Sequence, residues 1–182
     1  MPLSLSLVAL RLALAFTVAV PAEELPKNVL LADLGLHVIG VGYQRSVTPS
    51  FALQLDLESY APWTQNLNLF GLSGEAFKAD TSGYAVRGRL FWYPSAEAPT
   101  GLWLSPFVQG GPVTATREGV AVKGTAFAAG GGVGYAWLFK NTVHLAIGGG
   151  LQLHTAHLAG GDGIPSFARL YPHLDANLGW AF

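Results

Sequence analysis

From residue 51 onward the chain alternates between apolar and polar positions. Phe51, Leu53, Leu55 and Leu57 interleave with Ala52, Gln54, Asp56 and Glu58, which gives an extended segment one greasy and one polar face. The period of two returns at Tyr84, Val86, Leu90 and Trp92 against Ala85, Arg87, Arg89 and Tyr93. It returns again at Leu145, Ile147, Leu151 and Leu153 against His144, Ala146, Gln152 and His154. At the end, Leu174, Ala176, Leu178, Trp180 and Phe182 alternate with His173, Asp175, Asn177 and Gly179. Turn-forming clusters at 46–50, 94–100, 117–119 and 139–142 separate such runs. The pattern predicts strands at 28–34, 36–45, 51–60, 83–93, 101–114, 121–138, 142–155 and 169–182. Eight is even, as a single-chain bacterial barrel requires. Residues 28–45 also fit one bent strand, which would leave an odd count.

One stretch breaks the rhythm. Residues 2–20 are almost wholly apolar and lead into Pro21-Ala22-Glu23-Glu24. Small residues at Val20 and Ala22 fit cleavage of an export signal after Ala22. Residues 1–22 are therefore expected to be a signal peptide, and 23–182 the barrel domain. Arg11 lies inside the apolar stretch rather than before it. A start near Val8 would make Arg11 the basic n-region, whereas an uncleaved anchor would hold it at mid-bilayer cost.

After residue 22 no apolar run approaches the roughly 18 residues of a membrane helix. Mean hydropathy is nevertheless +0.37. Charged residues make up only 12% of the chain, about half the share in soluble domains. Apolar residues spread singly along the whole chain are what a transmembrane barrel produces. The expected fold is all-β: an eight-stranded antiparallel up-and-down transmembrane β-barrel in the outer membrane. A net charge of −1 removes the basic footprint that nucleic acid needs. The absence of cysteine is compatible with a closed barrel, which needs no disulfides.

If the last strand ends in the periplasm, turns 46–50, 94–100 and 139–142 fall inside and segments 61–82 and 156–168 outside, short within and long without. Tyr43, Trp92, Tyr135, Trp137, Trp180 and Phe182 then gather near the periplasmic strand ends, where an interfacial girdle belongs.

Several segments carry a resemblance: Lys27-Asn28-Val29-Leu30-Leu31-Ala32-Asp33, Gly40-Val41-Gly42-Tyr43, Leu55 to Trp63, and Arg89-Leu90-Phe91-Trp92-Tyr93. Together they resemble a family of small bacterial outer-membrane barrels of unknown function, over roughly the first half of the mature chain. The resemblance implies no catalytic residues. It implies that Trp180 and Phe182 form the terminal signal read by the barrel assembly machinery.

Candidate chemistry lies on the inward face. Asp56 and Glu58 face the same side as Arg87 and Arg89, and one register sets Glu58 opposite Arg87 and Asp56 opposite Arg89. A salt-bridge ladder filling the narrow lumen is the expected role, with a proton or ion pathway as the sharper alternative. His144, His154 and His173 share that face, and His154 with His157 near the outer mouth is the one pair spaced for a metal. No metal and no cofactor are expected. Gly130-Gly131-Gly132-Val133-Gly134 lacks the Lys-Ser/Thr of a phosphate loop. Small residues at Ala126, Ala128, Gly130, Gly132, Gly134 and Ala136 instead face bulky Trp103, Phe107, Phe91 and Tyr93, as small-against-large packing or as a small apolar pocket. No His-x-Ser occurs, so enzymatic activity is not expected. The expected function is structural, or an interaction through loop 61–82 with Trp63, Phe70 and Phe77. The alternative is a soluble periplasmic, lipocalin-like carrier of an apolar ligand, with its leucines turned inward.

Overall fold

The computed structural model describes residues 24–36, 38–60, 80–95, 97–117, 120–158 and 167–182. The expected signal peptide, most of the two long outer segments, and Trp63, Phe70 and Phe77 lie outside the described residues. The rest forms eight strands: β1 (Asn28–Gly35), β2 (Val38–Thr48), β3 (Phe51–Tyr60), β4 (Asp80–Trp92), β5 (Gly101–Arg117), β6 (Val120–Phe139), β7 (Val143–Leu158) and β8 (Phe167–Ala181). Every neighbour pairs antiparallel, and β1 pairs with β8 to close the barrel. At the seam Asn28 N–H donates to Phe182 O (3.1 Å) and Phe182 N–H to Asn28 O (2.9 Å). Closure leaves no strand edge, the condition for crossing a bilayer with β-structure. Residues 28–45 are a hairpin, not one bent strand.

Alternation decides which face each residue takes. Along β3, Leu55 is 60% exposed and Asp56 1%. The large aliphatic residues of the strands mostly form the outer wall, and most of the charged and amide side chains lie in the interior, together with inward rings and small residues. That arrangement is the reverse of a soluble carrier, so the lipocalin-like alternative does not describe this chain. An apolar belt all around far exceeds the few hundred Å² that soluble monomers expose. The barrel spans a membrane. Following paired residues once round, from Trp180 through Leu30, Tyr43, Leu55, Gly88, Val108, Ala129 and Leu153, returns to β8 at Leu170, ten residues displaced. That stagger tilts the strands within the usual range for small barrels.

The strands differ in length. β1 has eight residues and β6 twenty. β4, β5, β7 and β8 begin or end two to three residues further toward the outer side than the alternation predicts, and β6 one residue further. Tyr84 on β4 and Phe127 on β6 project outward on either side of Gly110 and Gly111 and mark a second, outer aromatic level. Above it the outward positions turn polar, with Thr114, Thr116, Lys123 and Thr125.

Two lapses interrupt the β4–β5 ladder. Pairing stops at Gly83↔Val113 and resumes at Val86↔Gly110; it stops again at Arg89↔Phe107 and resumes at Trp92↔Leu104. Pro112 and Pro106 lie in these gaps. Proline has no N–H, and residues of one parity point their N–H groups toward the same neighbour. Both missing donors face β4, so the β5–β6 ladder stays continuous.

The β6–β7 turn is tight. Lys140 and Asn141 both have φ of 52°, and Thr142 N–H donates to Phe139 O at 3.1 Å. Two positive φ values match a type I′ hairpin turn, which suits Asn and Gly and strains Lys. Lys140→Asn with Asn141→Gly is expected to raise the urea midpoint of the folded barrel, by about 1 kcal/mol of stability. A lowered midpoint would count against this turn geometry.

Candidate functional site

The lumen is stratified. At the periplasmic end Val29, Leu31 and Ala181 pack together with Leu138. Phe91, Tyr93 and Trp103 pack with Ala52, Ala136 and Ala146. The small inward residues of β6 and β7 make room for the large ring. A Cβ added at Gly134 or Gly148 would run into the Trp103 indole. Small-against-large packing is the arrangement found there. At the outer end Val38, Tyr60, Val113, Ala126 and Ala156 form a second apolar layer.

Between these layers lie the charges. β3 presents Asp56 and Glu58, and β4 presents Arg87 and Arg89, all at most 3% exposed. Their register differs from expectation by two residues: Asp56 pairs with Arg87, Gln54 with Arg89, and Glu58 with Ala85. A shift of two keeps every side chain on its face, so the same groups meet in another pattern. The expected ladder is instead two clusters.

Arg87 holds the first. Its Nε lies 3.3 Å from Asp56 Oδ2 and its Nη2 lies 2.8 Å from Glu58 Oε1. The same Nη2 also contacts Asp33, which reaches it from β1 across the lumen. Gln54 donates to Asp56 Oδ1 at 2.8 Å. Arg89 holds the second, paired to Asp175 on β8 rather than to Asp56. Its Nε donates to Ser105 Oγ at 3.2 Å, and its guanidinium lies over Phe91, 4.6 Å from the ring centroid. Asn177 donates to Asp175 Oδ1 at 3.2 Å.

Asp33 and Asp175 are the partners that sequence reasoning missed. Both stand at inward positions of their strands, so parity was the available signal. The ligand atoms of Asp33, Asp56 and Glu58 lie within 4.8 Å of one another, a spacing that could hold a cation. The cation in it is Arg87.

The described histidines do not converge. His144 Nε2 lies 3.2 Å from Pro99 O near the periplasmic end. His173 packs on Phe107 with centroids 4.6 Å apart, and His154 stacks with Tyr60 at 6.1 Å. His154 faces the lumen, whereas His157 lies in β7, not in a loop, and faces outward. The one pair spaced for a metal is thereby separated: opposite faces of one strand cannot share an ion. Beneath the outer apolar layer a cavity of about 10 Å³ touches Arg87, Gln109, His154 and His173. That is at the threshold for a single water.

No family model matches the sequence, and no curated protein matches it. Solved structures do. This is a β-barrel of the outer-membrane type. The crystal structure of Neisserial surface protein A superposes with a TM-score of 0.54 at 14% identity, covering 88% of this chain and all of that one. The N-terminal β-barrel domain of Pseudomonas aeruginosa OprF aligns over 87% of this chain at 12% identity with a TM-score of 0.43. Identity at this level speaks to the fold alone, and the barrel's interior must be read from its own residues.

Proposed function

We propose that this chain is a small, non-enzymatic outer-membrane barrel with a plugged lumen. It serves a structural role, or presents loop 61–82 to a partner outside the cell. The observation that carries the reading is the burial of Arg87 and Arg89 between two apolar layers, each guanidinium held by carboxylates. Eight strands enclose a space that side chains fill, and here rings and ion pairs fill it. Trp180 and Phe182 serve on this reading as the signal for the barrel assembly machinery.

The experiment is conductance. The purified barrel, reconstituted in planar bilayers, is expected to give no steady single-molecule current. Stable, ion-selective openings would overturn the plugged reading and make Asp56, Glu58, Arg87 and Arg89 pore residues.

A further inference from the structure

The outer wall carries a groove that the plugged-lumen reading does not use. It has a volume of about 620 Å³ and crosses from β2 to β5, lined by Leu53, Leu55, Gly88, Pro106 and Val108, with Arg45 at its lower end. Two features of the chain create it. Gly88 faces outward, and a Cβ built there meets nothing within 4 Å. Beside it, Pro106 stands in one of the lapses of the β4–β5 ladder.

Arg45 gives the groove a polarity. It pairs across the sheet with Asn28, whose backbone bonds Phe182, so it lies at the periplasmic end among the girdle aromatics. Its side chain projects outward, where a charged group is costly unless it reaches headgroups. Asn28 Oδ1 accepts from Tyr43 Oη at 2.6 Å and from Arg45 Nη1 at 3.4 Å. One N–H of the guanidinium is thus anchored, and the other donors remain for a phosphate, the planar anion-fork pairing that Arg makes well. From that point the groove runs upward into the apolar belt.

We propose that this groove is a binding site for one glycerophospholipid of the periplasmic leaflet. Its phosphate is held by Arg45, and one acyl chain lies along Gly88 between Leu55 and Val108. The site requires the barrel to span the membrane but is independent of whether the lumen is plugged.

A second outer-wall depression supplies the control. It measures about 480 Å³, is lined by Leu104, Gly131, Val133 and Leu151 among others, and has no charged residue. The test is native mass spectrometry of the full barrel in a non-ionic detergent, titrated with phosphatidylglycerol and separately with diacylglycerol. The unaltered protein is expected to retain one phosphatidylglycerol. Arg45→Gln should weaken that retention at least five-fold and leave diacylglycerol unaffected. Gly88→Leu, which fills the groove where space is free, should abolish retention of both. Gly131→Leu, in ordinary van der Waals contact with Ser105 and Pro106, should change neither. Heat-modifiable gel mobility checks that each variant is folded. Equal retention by Arg45→Gln and the unaltered protein overturns the phosphate site. Equal loss in Gly88→Leu and Gly131→Leu overturns the groove. Dimers lost on Gly88→Leu, without a lipid adduct, would assign the groove to a second copy instead.

Discussion

Arg87→Gln is expected to be among the most damaging single changes in the barrel, lowering stability by about 3–5 kcal/mol. The substitution leaves Asp33, Asp56 and Glu58 facing one another with no cation in contact with them, in a layer closed above and below by apolar packing. Glu58→Gln alone should cost less, about 1 kcal/mol, because Arg87 retains two carboxylates. Adding Glu58→Gln to Arg87→Gln should recover part of the loss, since it removes one of the stranded charges. Urea unfolding of the folded barrel in lipid vesicles, scored as a double-mutant cycle, measures the coupling. Additive effects, or a cost for Arg87→Gln below about 1 kcal/mol, would mean that water reaches the cluster.

A change at Gly148 is expected to hurt nearly as much by a different route. A methyl at Gly148 meets the Trp103 ring from one side and Val133 O from the other. Gly148→Val should therefore lower stability by about 1–3 kcal/mol or prevent folding, as overpacking does. Trp103→Leu by itself should cost a similar amount through the cavity it opens. Combined, the two should be less destabilising than their sum, because the branched side chain occupies space the ring has vacated. Heat-modifiable mobility and urea midpoints read the result. Strict additivity would show that the ring and the glycine do not share that space.

These interior contacts were unequally legible in the sequence. Face was legible: Gln54, Asp56, Arg87, His144, Trp103 and Asp175 all point inward as alternation requires, because period two leaves a half-buried strand no other choice. Turn positions were legible where the turn is short, as at Lys140 and Asn141. The β3–β4 register was not. Those strands are joined by the long segment after Tyr60, so no tight turn fixes their pairing, and shifts of two residues look alike in pattern. The partners of Arg87 and Arg89 on β1 and β8 were invisible for another reason. Matching residues across adjacent strands says nothing of contacts across the lumen, and this lumen is narrow enough for an arginine to cross. The outer end of β5 was not legible because the alternation lapses over Ala115, Thr116 and Arg117, whereas the outer start of β6 at Val120 lies within one residue of the expected position.

The unequal strands also set the geometry that anything outside the cell would meet. β1 and β2 end at Gly35 and Val38, while β6 continues seven residues beyond Phe127 to Val120. Seven tilted residues correspond to roughly 17 Å of height. Among the described residues the rim of paired strands is therefore oblique, low at β1 and β2 and raised at β5 and β6. An epitope tag inserted between Arg117 and Val120 should be reachable by antibody on whole cells, held clear of the headgroups by paired strands. The same tag between Gly35 and Val38 would start from the low flank, close to the lipid surface, and be shielded by it. Among the described residues, the paired strands stand as a parapet on the β5–β6 side and stop low on the β1–β2 side.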